Sequence, residues 1–217
     1  MALIKNRKWK QEPAYHSENG FTYSMGNRKM GRVMSYSLPP IKTCHPSSPC
    51  EDMCYAVRMC RLYPSVRRTW EKNYELLNGE CWGDKFVNDT VKAIKTKNVE
   101  LFRWHVGGDI FSAWYLDNLC LIAKKCPNTQ FWAFTKQFNI LENYTGTIPN
   151  NLTIILSIWP PHLPSEELRK KYGCCYFQDK DESFDVPEDA FVCDGDCEMC
   201  RVCTYLVPGE SVVIYQH

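Results

Sequence analysis

The chain has 217 residues with 44% hydrophobic and 13% aromatic content, enough apolar surface for one sizeable core and too much for a disordered chain. Its 26 Lys and Arg against 25 Asp and Glu exclude a strongly polyanionic or polycationic protein, and 11 Gly with 13 Pro in no repeat exclude a collagen-like one. Thirteen cysteines are the outlier, and their odd number leaves at least one over in any fully paired disulfide framework. The opening MALIKNRKWK offers no apolar signal-peptide core, and no run of about 18 apolar residues exists. A soluble, cytoplasmic chain without membrane contact is therefore expected, in which clustered thiols point to metal or redox chemistry.

In chain order, residues 1–32 form a basic N-terminal extension. From Met1 to Lys72 there are 13 Lys and Arg against 5 Asp and Glu, whereas Glu166 to Glu198 carries 4 against 11. Such runs are either solvated faces of opposite sign or, in the basic third, a surface for nucleic acid. Val33–Leu38 is predicted as the first strand, stopped by Pro39 and Pro40. Helix follows from about Asp52 through Leu77, disturbed at Pro64, and again from Asp84 to about Lys97. Leu101–Val106 reads as the second strand, broken by Gly107 and Gly108. Ser112 is placed to cap a helix that runs to Lys125.

Beyond that helix come a strand at Gln130–Phe134, a short helix near Gln137–Asn143 and a strand at Leu152–Ile158. A helical turn is expected near Glu166–Tyr172, with short strands near Tyr176 and Phe191 and a last one at Val212–Tyr215. Strands alternating with helices imply an α/β fold, either an incomplete (β/α) barrel or an open parallel sheet. The core spans 33–172, and 173–217 is a Cys-rich C-terminal, metal-binding segment packed on it as one domain.

In such folds ligands gather at the C-terminal ends of the strands. The first strand is followed by Cys44, Cys50 and Cys54, the second by Gly107, Gly108 and Asp109, the third by Thr135 and Lys136, and the fourth by Ser157 and Trp159. The first cysteine group is spaced Cys44-x5-Cys50-x3-Cys54-x5-Cys60, on a loop turned by Pro46 and Pro49. Three thiolates on a four-iron cluster leave one iron open, whereas zinc closes its tetrahedron with His45 or Cys60. Cys60 also fits a core thiol on its helix.

The second group, Cys193-x3-Cys197-x2-Cys200-x2-Cys203, packs four cysteines into eleven residues and is read as a metal site, iron-sulfur or zinc. Adjacent Cys174 and Cys175 point to opposite faces of an extended chain, so at most one reaches a shared centre. Cys81, Cys120 and Cys126 read as isolated or packing thiols, and His217, after the last strand, as either a ligand or a frayed terminal residue. Gly107 and Gly108 either form a plain turn or admit a ligand to the backbone, with Asp109 as its acceptor. Lys136 and Arg103 suit a carboxylate or phosphate, and His105 reads first as a satisfied core histidine.

The stretches SLPPIKTCHPSSPCEDMCYAVR, FRWHVGGDIFS with FWAFTK, and CDGDCEMCRVC resemble the phage gene product 88 family. They are more distantly similar to radical-SAM-like proteins, whose usual loop is C-x3-C-x2-C rather than the x5, x3 spacing found here. The resemblance implies a truncated barrel with a 4Fe-4S cluster on Cys44, Cys50 and Cys54. It implies S-adenosylmethionine along Gly107, Gly108, Asp109 and Ser157, Asp109 and Lys136 as catalytic groups, and an auxiliary cluster on the terminal cysteines. It further implies a reductant protein as partner and, for a phage product, the host cytoplasm as location.

Overall fold

The computed structural model describes residues 10–44, 50–79, 82–178 and 184–215, with the side chain of residue 82 left aside. His45, Cys81 and His217 lie outside the described residues. Two short strands, β1 (Tyr15–His16) and β2 (Thr22–Tyr23), form an antiparallel hairpin. Then come β3 (Met34–Tyr36), the helices α1 (Cys50–Met53), α2 (Tyr55–Leu62), α3 (Pro64–Leu77) and α4 (Trp82–Lys97), and β4 (Leu101–Trp104). The chain continues through α5 (Ala113–Lys125), β5 (Gln130–Thr135), α6 (Phe138–Glu142), β6 (Leu152–Ile158), α7 (Glu166–Arg169) and β7 (Gly173–Gln178). It ends with β8 (Phe191–Val192), the single turn α8 (Cys197–Cys200), a 3-10 turn at Val202–Thr204, and β9 (Ser211–Tyr215).

Seven strands form one open sheet in the order β3-β4-β5-β6-β7-β9-β8, every described pair parallel. Of the two expected architectures, the open parallel sheet is the one formed. Local chemistry explains the element boundaries. Pro64 opens α3 at the position where its missing N–H costs nothing, and Tyr63, in extended conformation, breaks α2 from α3. Ser112 caps α5 by accepting from the Tyr115 N–H at 3.1 Å, as expected.

Alternation along the strands gives the sheet two unlike faces. On the outer face Met34, Tyr36, Phe102, Trp104, Phe131, Ile154 and Cys174 meet Phe86 and Val87 of α4 and Leu116 and Leu119 of α5 in the main core. Phe102 and Trp104 pair at 4.5 Å between centroids and Tyr36 and Phe86 at 5.1 Å, and pairs of this kind add about 0.5–1.5 kcal/mol each beyond area burial. Phe21 and Tyr23 of the hairpin are wholly buried in the same core. The basic N-terminal stretch is thus joined to the domain by aromatic packing from residue 21 onward.

The inner face carries Ser35, Arg103, Trp132, Phe134, Ser157 and Cys175, in register across the strands. The C-terminal segment lies over its lower half. Leu206, Val202, Cys197 and Cys203 pack with Met30, Val33, Leu101, Trp132 and Cys175. Thr153 Oγ1 donates to the Thr204 carbonyl at 2.8 Å, and Glu198 accepts from the Arg32 N–H and Nε at 2.9 and 3.0 Å. Cys120 and Cys126 are buried thiols in the main core, as expected, and Cys60 is half-buried outside it. No helix among the described residues is long and apolar enough to cross a membrane.

Candidate functional site

The upper half of the inner face opens into a cavity of about 240 Å³ at the C-terminal ends of the strands. Cys44, Cys50 and Cys54 line it from the loop and helices after β3. Gly107, Gly108 and Asp109 line it after β4, Lys136 after β5, Ser157 and Trp159 at the end of β6, and Cys175 from β7. Gly107, Gly108, Asp109, Thr135, Lys136, Ser157 and Trp159, singled out at three further strand ends, therefore share one space with these thiols. Arg103, Cys175 and Phe177 form its floor on the sheet itself.

The Gly-Gly-Asp turn works as a clamp. A Cβ on Gly107 would stand 2.4 Å from the Trp70 indole, and one on Gly108, whose φ is +84°, would stand 2.7 Å from both Leu38 Cβ and Thr43 Oγ1. Both glycines are thus required by close packing within the chain, the second also by its left-handed backbone. Asp109 is buried, and its carboxylate accepts from the Ile110 N–H at 2.6 Å and the Lys136 N–H at 2.9 Å. Its own N–H donates to Thr43 Oγ1 at 3.2 Å. Asp109 so ties the ends of β4 and β5 to the loop that bears Cys44. Burial pushes its carboxyl up to about 6 against the opposing pull of these donors.

Lys136 directs its ammonium across the cavity, donating to Ser157 Oγ at 2.9 Å and standing 5.6 Å from the centre of the Trp159 ring. Trp159 stacks on Phe177 at 4.2 Å, walling this side. Arg103 lies 4.9 Å from the centre of the Phe134 ring. Burial pushes Cys44 up to about 12, with Asp109 and Cys54 adding repulsion. Cys50 is also raised, burial outweighing the nearby Lys136 ammonium. Burial thus favours the neutral thiol at Cys44 and Cys50, and a bound cation is what would hold them as thiolates.

Arg103 Nε and Trp159 Nε1 line this cavity and are buried without an acceptor among the described residues, as is Trp132 Nε1 deeper on the same face. His105 is a core histidine: Nε2 meets the Tyr115 hydroxyl at 3.0 Å, and burial, then Arg103, lowers it to about 3. Tyr55, the aromatic residue directly after Cys54 and given no site role by sequence, donates its hydroxyl to the Val106 carbonyl. It lines both the cysteine cavity and a second, largely apolar cavity of about 390 Å³ lined also by Met59, Val66 and Trp70. The signal available was its place directly after Cys54.

The C-terminal cysteines lie apart from the cavity. Cys197 and Cys203 pack under the sheet and Cys193 follows β8. Among the described residues no group of three or more His, Cys, Asp or Glu side chains is set to hold a metal ion. The expected Cys-rich C-terminal segment is present, folded against the sheet.

The sequence model of the family described as Gene product 88 matches residues 1–206. Among curated proteins, the Gene 88 protein of Mycobacterium phage L5 is 29% identical over 153 residues, and that of Mycobacterium phage D29 is 29% identical over 148. Each alignment covers 64% of this chain and 62% of the relative, so the chain spans under two thirds of their length. No solved structure matches.

Proposed function

The chain belongs to the phage Gene product 88 family, and from the site itself we propose that it is an iron-sulfur protein of radical-SAM-like type. Cys44, Cys50 and Cys54 would hold a four-iron cluster with one iron free of protein ligand, and the C-terminal cysteines a second centre. The observation that carries this is the shared cavity, which gathers three thiols from one loop region with Asp109, Lys136 and Ser157 from three further strand ends. The donor set fits: thiolates are the ligands such clusters take, and each binds a separate iron. Buried N–H groups without acceptors, Arg103 Nε and Trp159 Nε1, match the acceptor sulfurs of such a group.

When bound, the cluster supplies an electron and an iron open to a small ligand. The chain's own residues then bind and orient. Lys136, steadied by Ser157 and Trp159, and Arg103 on the floor are two cations able to hold a carboxylate, such as that of S-adenosylmethionine. Asp109 fixes the three loops around that ligand, and the Trp159–Phe177 stack keeps water from the side of β6 and β7.

Anaerobic purification and reconstitution test the reading. Iron, acid-labile sulfide and a broad visible absorption are expected, with 5′-deoxyadenosine formed from S-adenosylmethionine under a strong reductant. A colourless protein that holds zinc after reconstitution overturns the cluster, and a coloured one that neither binds nor cleaves S-adenosylmethionine overturns the radical chemistry. A reductant protein is the partner this chemistry requires.

A further inference from the structure

We propose that the second cavity, the one lined by Met59, Val66 and Trp70, is a binding site for an uncharged small molecule with an apolar body and a hydrogen-bonding group, the class of substrate the cysteine cavity would act on. As a substrate seat it rests on the iron-sulfur reading; as a binding site it stands without it.

Strand alternation builds the floor. The Ser24 and Ser35 backbones exchange both hydrogen bonds at 2.9 Å in an antiparallel bridge, so their side chains stand on one face. Thr22 and Ser37, each two residues away along its own strand, take the same face. All four line the cavity, whereas Tyr23, Met34 and Tyr36, which alternate with them, point into the main core. Helices α2 and α3 add Tyr55, Met59, Val66 and Trp70, so the space has a hydrogen-bonding side and an apolar side. Its volume of about 390 Å³ lies within the range of small-molecule sites, about 300–1,000 Å³.

One of these hydroxyls points to a ligand. Thr22 Oγ1 pairs with His16 Nδ1 at 3.0 Å, Ser24 Oγ donates to the Gly26 carbonyl at 3.2 Å, and Ser37 Oγ accepts from the Val106 N–H at 3.1 Å. Ser35 Oγ, in a residue only 1% exposed, has no partner among the described residues. A buried hydroxyl left unpaired costs free energy, and a ligand group that meets it from the cavity removes that cost.

Charge and position select the class. The described lining residues include Glu12 and no Lys or Arg, so an anion would meet a carboxylate and find no counter-charge. The cysteine cavity differs, with Arg103 and Lys136 among its lining. The two spaces adjoin: Tyr55 and Val106 line both, and Ser35 pairs in register with Arg103 on the neighbouring strand. A molecule seated on Ser35 is therefore one strand, about 4.8 Å, from the floor of the cysteine cavity.

Equilibrium dialysis of the full chain, before and after anaerobic reconstitution, tests this with two probes, N-phenylnaphthylamine and its ring-sulfonated form, anilinonaphthalene sulfonate. They share an apolar body and an N–H and differ by one negative charge. One uncharged probe per chain is expected, with the sulfonate bound about tenfold more weakly. Val66→Trp, which fills the cavity from a half-buried position on α3, should weaken the uncharged probe by about tenfold or more. Met59→Trp repeats the test should Val66→Trp misfold by circular dichroism. Ser35→Ala should bind about 2- to 10-fold more weakly while its urea midpoint holds or rises, because an unpaired buried hydroxyl is gone. No binding, equal binding of the two probes, or undiminished binding in the folded tryptophan variant overturns the proposal. A destabilised Ser35→Ala chain with unchanged affinity assigns Ser35 to the fold and also overturns it. Binding by a chain that takes up no iron keeps the site and removes only the cluster reading.

Discussion

Replacing Gly108 by Ala perturbs the clamp around the Cys44 loop at its tightest point. The added Cβ meets Leu38 Cβ and Thr43 Oγ1 at 2.7 Å and the Leu38 carbonyl oxygen at 2.8 Å, and two of these contacts cannot swing away as a flexible side chain would. The left-handed backbone at φ +84° costs about 1–2 kcal/mol for a residue with a Cβ, and forced repacking about 1–3 kcal/mol more. The sum is about 2–5 kcal/mol. Gly209 is the internal control, because its φ is +88° but a Cβ there meets nothing within 4 Å. Gly209→Ala should lose only the backbone cost. Urea unfolding of both variants reads the difference, and in a chain of this length each kcal/mol corresponds to about 2–4 °C in Tm. Equal losses in the two variants would refute the close packing of Leu38 and Thr43 against the Gly-Gly-Asp turn.

Two further outcomes follow from the core. His105 is lowered to about 3 by burial, below the 6.5 of an unfolded chain, so the unfolded state takes up the proton first as pH falls. Its contribution is complete above about pH 6.5 and is lost at about 1.4 kcal/mol per pH unit between 6.5 and 3. His105→Gln should flatten that part of the stability profile, and an unchanged slope in urea titrations would contradict the burial. Ser112→Ala removes the side-chain acceptor of the Tyr115 N–H and should cost about 0.5–2 kcal/mol in thermal unfolding, with Ser112→Asp near neutral.

The α/β alternation was legible because the strands are apolar and the helix ends carry Ser112, Pro64 and paired prolines. The strand-end rule was legible for the same reason, and it assembled residues from four loops without any one motif. The N-terminal hairpin was not, since two strands of two residues leave no periodicity, and Phe21 and Tyr23 sit within a stretch that composition marks only as basic. The glycine pair read as either a plain turn or a place for a ligand to approach the backbone, but Trp70 and Leu38, distant in sequence, decide its packing. Cys175 shows the limit most clearly. Alternation said that at most one of Cys174 and Cys175 could reach a shared centre, and packing was needed to show that Cys174 faces the main core and Cys175 the inner face with its cavity.

The central claim is that Cys44, Cys50 and Cys54 hold an iron-sulfur cluster. Its most direct test is iron and sulfide per chain in the anaerobically reconstituted protein, compared with a folded variant in which all three are replaced by Ser. The account expects about four irons and four sulfides fewer in the variant. Equal iron in the two proteins would contradict it.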